Sequence, residues 1–302
     1  MLDKITILLC FITLITGFLI HFSRGLYSKH NHDQSSSDMW TFNLFQNMFS
    51  LCTVLIVFLL LEKLGRFSVY TVLLGAFMGT ANTMAVYASL KAYSHGPFSY
   101  TTVIVSLSVV IPTLSGLFFD ETISIVQYIG ILTMIACIVL SAENRKENKS
   151  ASFKWLLWSM IAFVSSGLIG IFQKILQASP EHRAEHFALL VSCFVVSVIL
   201  SCVCLCIECK KTNEKFDFRK KLNYMQILGG FSNAISHSIN IYLVGVLPTV
   251  IIFPLVNLIP MIFLLLSSVL IFKEKLSGKQ WFAIITGLLA TVLLSGILNG
   301  YF

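Results

Sequence analysis

A chain of 302 residues that is 56% hydrophobic and only 12% charged, with mean hydropathy +0.84, lies far outside the range of soluble domains and reads as an integral membrane protein. Its net charge of +7 comes from Lys and Arg at helix ends and in two loops, not from a basic stripe interleaved with aromatics, which argues against a nucleic-acid partner. Little chain is left between the apolar runs, so length alone excludes a soluble catalytic or ligand-binding domain.

Apolar runs of about 18–25 residues, each able to cross roughly 30 Å of hydrocarbon, are predicted over 5–27, 39–61, 69–92, 97–118, 123–142, 154–175, 185–207, 224–246, 249–272 and 279–298. The first has only Lys4 before it and no small-residue cleavage site, so it reads as a retained helix, not a signal peptide. It carries Gly17, Phe22, Ser23 and Arg24. The third helix carries Gly75 and Gly79, a small-xxx-small face for close packing, followed by Asn82 and Tyr87. The fourth holds Ser106 and Pro112.

After the charged stretch 143–154, the sixth helix brings Gly167, Phe172, Gln173 and Lys174. The seventh ends in Cys202, Cys204, Cys206 and Cys209, whose spacing fits no usual zinc pattern. They read as small apolar residues near a helix end, with lipidation or metal capture as alternatives. The eighth and ninth helices form a hairpin joined at Leu247 and Pro248. In the eighth, Asn233, His237 and Asn240 stand at i, i+4 and i+7, one face of a helix. His237 is the mid-span group able to titrate near neutrality. Tyr87 and Tyr242 are the candidate stacking residues. In the ninth, Pro254 and Pro260 bracket Asn257, and the lost backbone donors predict a helix that bends or opens there.

The chain reads as a duplication. An offset of 150 lays Gly17, Phe22 and the Ser23–Arg24 pair on Gly167, Phe172 and the Gln173–Lys174 pair. An offset of 151 lays Gly79, Asn82, Pro97 and Ser106 on Gly230, Asn233, Pro248 and Asn257, and 153 lays Glu121, Ser124 and Gln127 on Glu274, Ser277 and Gln280. The units are 1–143 and 154–302, with 144–153 as a charged linker. Five crossings per unit is an odd number, so the copies enter the membrane in opposite directions, the inverted-repeat arrangement of secondary transporters. Sixteen of the 21 Lys and Arg fall on the side of the loops after helices 1, 3, 5, 7 and 9, which places both termini outside the cytoplasm.

Two five-helix halves, the short proline turn between the third and fourth helix of each, and the Glu-x-x-Ser-x-x-Gln string that opens the last helix of each resemble the EamA family of the drug/metabolite transporter superfamily. The resemblance covers essentially the whole chain. It implies an all-α multi-pass protein of the cell membrane with ten helices, lining a cavity with helices 1, 3, 4, 6, 8 and 9. It implies a transporter of small metabolites, often an exporter of amino acids or related compounds, and not an enzyme. Three features depart from the family: the loop charges and a C-terminus without a basic residue oppose its usual inward termini, Pro112 stands nearer Glu121 than the family's helix-4 proline usually does, and helix 1 lacks the buried glutamate by which small multidrug relatives couple to protons.

The expected substrate-binding residues are Asn233, His237, Asn240, Asn257, Asn82, Ser106, Gln173, Tyr87 and Tyr242. The bland alternative for the asparagines is inter-helix hydrogen bonding. Arg24, Lys91 and Lys174 either reach the headgroups from helix ends or meet a substrate anion. No carboxylate lies deep in a span, so no cation site or carboxylate proton relay is indicated. The expected partners are a small polar substrate and the bilayer, with no cofactor and no metal. A sensor or scaffold on a transporter-like frame is the rival class, and a membrane-embedded enzyme, which needs a nucleophile with a base or a metal cluster, comes behind it.

Overall fold

The computed structural model describes residues 4–30, 35–60, 66–119, 124–143, 149–213, 223–247, 249–273 and 278–294. Among them every regular element is helical, as backbone in hydrocarbon must satisfy its own hydrogen bonds. The helices are α1 (Lys4–His30), α2 (Ser36–Leu60), α3 (Val69–His95), α4 (Phe98–Ser106), α5 (Val110–Ser115) and α6 (Ile125–Glu143). The second half continues with α7 (Lys149–Ala178), α8 (His186–Thr212), α9 (Tyr224–Val246), α10 (Thr249–Leu270) and α11 (Gly278–Leu294). Glu121, Glu274, Ser277, Pro248 and residues 144–148 of the linker lie outside the described residues.

Six described stretches are long and apolar enough to cross a bilayer unaided: α1, α2, α3, the α4–α5 stretch, α7 and α8. That is fewer than the ten spans drawn from the sequence. For α9 the reason is physical: its 23 residues include Gln226, Asn233, His237 and Asn240, so its apolarity is low although its length suffices. It starts where Asn223 accepts from the Met225 N–H and Gln226 reaches back to the Asn223 N–H, a capping box.

The interruption expected near Asn257 falls elsewhere. α10 runs without a break from Thr249 to Leu270. The broken element is 98–115, where a 3-10 turn over Leu107–Val109 separates α4 from α5. Pro112 explains it: it has no N–H for the Ser108 carbonyl, and its ring crowds that turn.

Packing pairs α1 with α9 and α3 with α7; it pairs α1 with α10 and the α4–α5 stretch with α7; it pairs α2 with α9 and α3 with α8. α2 meets α8 and α6 meets α11. Replacing each helix by the one that corresponds to it under the sequence offsets returns the same set of pairs. Atomic detail repeats too. Ser197 of α8 donates to the Gly79 carbonyl at 3.0 Å and accepts from Asn82 Nδ2 at 3.2 Å. Ser50 of α2 donates to the Gly230 carbonyl at 2.9 Å and accepts from Asn233 Nδ2 at 3.4 Å. These bonds require close helices, and the glycines allow it: a Cβ at Gly79 would fall on the Cys193 carbonyl, and one at Gly230 would lie 2.5 Å from the Gln46 carbonyl. Gly75 extends the α3 contact, with a Cβ there 2.7 Å from the Leu189 carbonyl.

The two ends of α3 are tied differently. At its start Glu185, in the turn before α8, accepts from the Ser68 N–H at 3.2 Å and the Ser68 hydroxyl at 2.6 Å, and meets His182 Nδ1 at 3.2 Å. Partial desolvation raises the Glu185 pKa, but the hydrogen bonds from Ser68, Thr71 and His182 outweigh it and bring it down to about 2. A depressed carboxylate pKa means stability present above the unfolded value of about 4.3 and lost as pH falls through the folded one. Glu185→Gln is therefore expected to melt below wild type at pH 7 in detergent, with the gap closing as pH falls below about 4. An equal gap at pH 7 and pH 3 would contradict this. At the other end of α3, Tyr93, Phe98 and Phe272 pack with Phe22, and Lys29 donates to the Phe272 carbonyl at 2.9 Å.

Candidate functional site

A cavity of about 140 Å³ opens at mid-depth among α1, α3, the α4–α5 stretch, α7, α9 and α10. From the residues expected in a binding site, it is bordered by Asn82 of α3, Ser106 at the end of α4, Gln173 of α7, and Asn233, His237 and Asn240 of α9. The α9 residues reach it together because their spacing keeps them on one helix face. Pro112 and Pro260 also border it, and Gly17 lets α1 approach Pro260, where a Cβ would stand 3.3 Å from the proline ring.

The polar groups are partly committed. Gln173 Nε2 lies 3.0 Å from His237 Nδ1. An amide nitrogen only donates, so Nδ1 accepts and the ring carries its proton on Nε2. Asn82 Nδ2 donates to Asn47 Oδ1 at 2.8 Å, Asn47 Nδ2 to Asn43 Oδ1 at 2.6 Å, and Asn43 Nδ2 to the Thr83 carbonyl at 2.9 Å. Asn82 and Asn233 thus border the cavity and also bind helices together.

Two expected residues are not brought to this cavity. Tyr87 is buried in an aromatic stack, its ring 4.1 Å from Trp40 at 11° and edge-on to Trp158 at 5.6 Å, with the Lys91 ammonium 5.7 Å above it. Packing against its own neighbours uses its face. Tyr242 lies on the outer side of α9 and is 48% exposed, the place expected of a bilayer-facing aromatic. The side chain of Asn257 lies outside the described residues.

Two residues outside the nine expected join the site, and one of them, Arg24, takes the second of its two readings, away from the headgroups. Arg24 is 5% exposed and borders the cavity, with Nε donating to Gln46 Oε1 at 3.3 Å. It does not reach for headgroups, because α1 continues to His30 and leaves Arg24 well inside the helix. His21, one turn earlier on the same face, also borders the cavity; His237 is therefore not alone in mid-span. Behind Arg24, Asn43, Gln46, Asn47 and Ser50 form a buried polar stripe on α2. Their i, i+3, i+4, i+7 spacing was the signal that could have found them. Lys174 is buried as well, and Lys91 donates to the Ser36 hydroxyl at 2.8 Å. Among the described residues no group of three or more His, Cys, Asp or Glu could hold a metal ion.

A polar cavity enclosed by apolar helices, with discontinuous helix at its wall, is the arrangement of membrane transport proteins. Residues 153–296, just under half of the chain, match the EamA-like transporter family. Its six long apolar stretches make the chain a multi-pass membrane protein. A solved structure titled only as a crystal structure of a protein aligns with TM-score 0.59 over 95% of this chain and 98% of that chain, at 13% identity, and shows a shared fold. Among curated proteins none matches the chain significantly.

Proposed function

We propose that the protein is a secondary transporter that exports a small polar metabolite by alternating access. Its ten helices would form two inverted five-helix units, 1–143 and 154–302, joined by the charged linker 144–153. The observation that carries this reading is the position of the cavity: both units contribute to its wall, and Asn82 and Asn233, which correspond at offset 151, border it and make corresponding bonds to Ser197 and Ser50. The helix pairs that exchange into one another support the duplication. The family match begins at residue 153, at the end of the linker, which agrees with the second unit.

Two related halves around one cavity can exchange roles, so that the cavity opens first to one side and then to the other. The Tyr93, Phe98, Phe272 and Phe22 cluster, with Lys29 bound to the end of α10, is the closed gate on one side in this reading. Purified protein in liposomes preloaded with a metabolite mixture is expected to accumulate labelled members of that mixture by counterflow. No counterflow of any solute above protein-free liposomes would reject transport and favour a sensor on the same frame.

A further inference from the structure

The cavity holds a fixed positive charge, and among the described residues no Asp or Glu borders it. Arg24 has five N–H donors and stays charged in proteins. Its hydrogen-bond partner among the described residues is Gln46 Oε1, which accepts from Nε at 3.3 Å. A buried guanidinium without an anion is costly, and in a membrane interior such a charge is kept where something pairs with it. The ion pairs of His182 with Glu185 and of Lys211 with Glu208 lie elsewhere.

A second observation points the same way. His21 stands three residues before Arg24 on the cavity wall, and its Nδ1 is buried with no hydrogen-bond partner. A guanidinium edge and an unspent imidazole nitrogen on one face of α1 suit a planar, singly charged acceptor, which a carboxylate is; the guanidinium fork matches it with two parallel bonds. The far wall offers Gln173, His237 and Asn240, neutral groups suited to a hydroxyl or carbonyl. It offers no carboxylate for an ammonium. Resting on the reading of this cavity as the substrate site, the geometry points to a small organic acid carrying net negative charge as its ligand, held by its carboxylate on Arg24 and His21.

The test is thermal melting of the full-length protein in detergent with matched probes: lactate against lactamide, propanoate against propanamide, benzoate against benzamide, with inorganic phosphate as a separate arm. At least one acid is expected to raise the melting temperature while its amide does not. Arg24→Gln is expected to weaken that response at least tenfold in apparent Kd, and Arg24→Lys to keep the preference for acid over amide with weaker binding. Because no carboxylate among the described residues pairs with Arg24, Arg24→Gln without ligand is expected to melt no lower than wild type. Amides acting as well as acids, phosphate acting alone, no response to any acid, or an unchanged acid response in Arg24→Gln would each overturn the assignment. So would a lowered ligand-free melting temperature in that variant, which would make Arg24 part of the framework. Acid binding without counterflow would leave this site standing and remove the transport reading; counterflow without acid binding would do the reverse.

Discussion

Gly79→Val and Gly230→Val are each expected to abolish recovery of folded protein, and Gly79→Ala and Gly230→Ala to lower the melting temperature by similar amounts. A side chain at Gly79 would overlap the Cys193 carbonyl, and one at Gly230 would stand 2.5 Å from the Gln46 carbonyl. These obstacles are backbone of a packed neighbouring helix and cannot rotate aside. Alanine gains about 1 kcal/mol of helix propensity over glycine. Against it stand about 1–3 kcal/mol of overpacking and the weakening of two hydrogen bonds, at about 1 kcal/mol each. Those bonds join Ser197 of the second half to Gly79 and Asn82 of the first, and Ser50 of the first half to Gly230 and Asn233 of the second. The losses exceed the gain, so even alanine destabilises. Gly278→Ala, where nothing lies within 4 Å of the added carbon, is the neutral control. Monodisperse yield and melting in detergent measure the outcome, and a normal Gly230→Val protein would mean that α2 and α9 are not in the contact described.

The helical membrane character was legible because apolar runs and polar joints alternate along the chain. The Asn233, His237 and Asn240 stripe was legible because polar groups in an apolar helix stand out at a fixed spacing. The α2 stripe has a similar spacing, but α2 contains no proline, so no helix defect marks it. Arg24 was misplaced by a few residues of boundary: a span ending at 27 leaves it at the rim, but α1 runs to His30 and puts it inside. Tyr87 could not be placed from its own helix, because its stacking partners Trp40 and Trp158 come from α2 and α7. The prolines of α10 predicted an opening that instead occurs at Pro112, where one proline suffices to break 98–115 into α4, a 3-10 turn and α5. A proline states that a donor is missing; whether the helix breaks depends on what packs around it.

His237→Ala is expected to lower counterflow by about tenfold while leaving yield and melting close to wild type. The imidazole accepts from Gln173 Nε2 at 3.0 Å at the cavity wall, a single bond joining α7 to α9. Removing it frees the Gln173 amide into a polar space that water can fill, so little folding energy is lost. A solute oriented by these groups loses at least one hydrogen bond, about 0.5–1.5 kcal/mol, and the upper value is close to tenfold in rate. Gln173→Ala should act in the same direction, and the double variant should cost less than the sum of the two, since one bond is removed by either change. Asn233→Ala provides the contrast, because its amide is bound to Ser50 and its loss should appear in melting as well as in flux. Counterflow at matched protein incorporation decides it: wild-type rates for both His237→Ala and Gln173→Ala would show that solute does not pass this wall, even if the protein transports.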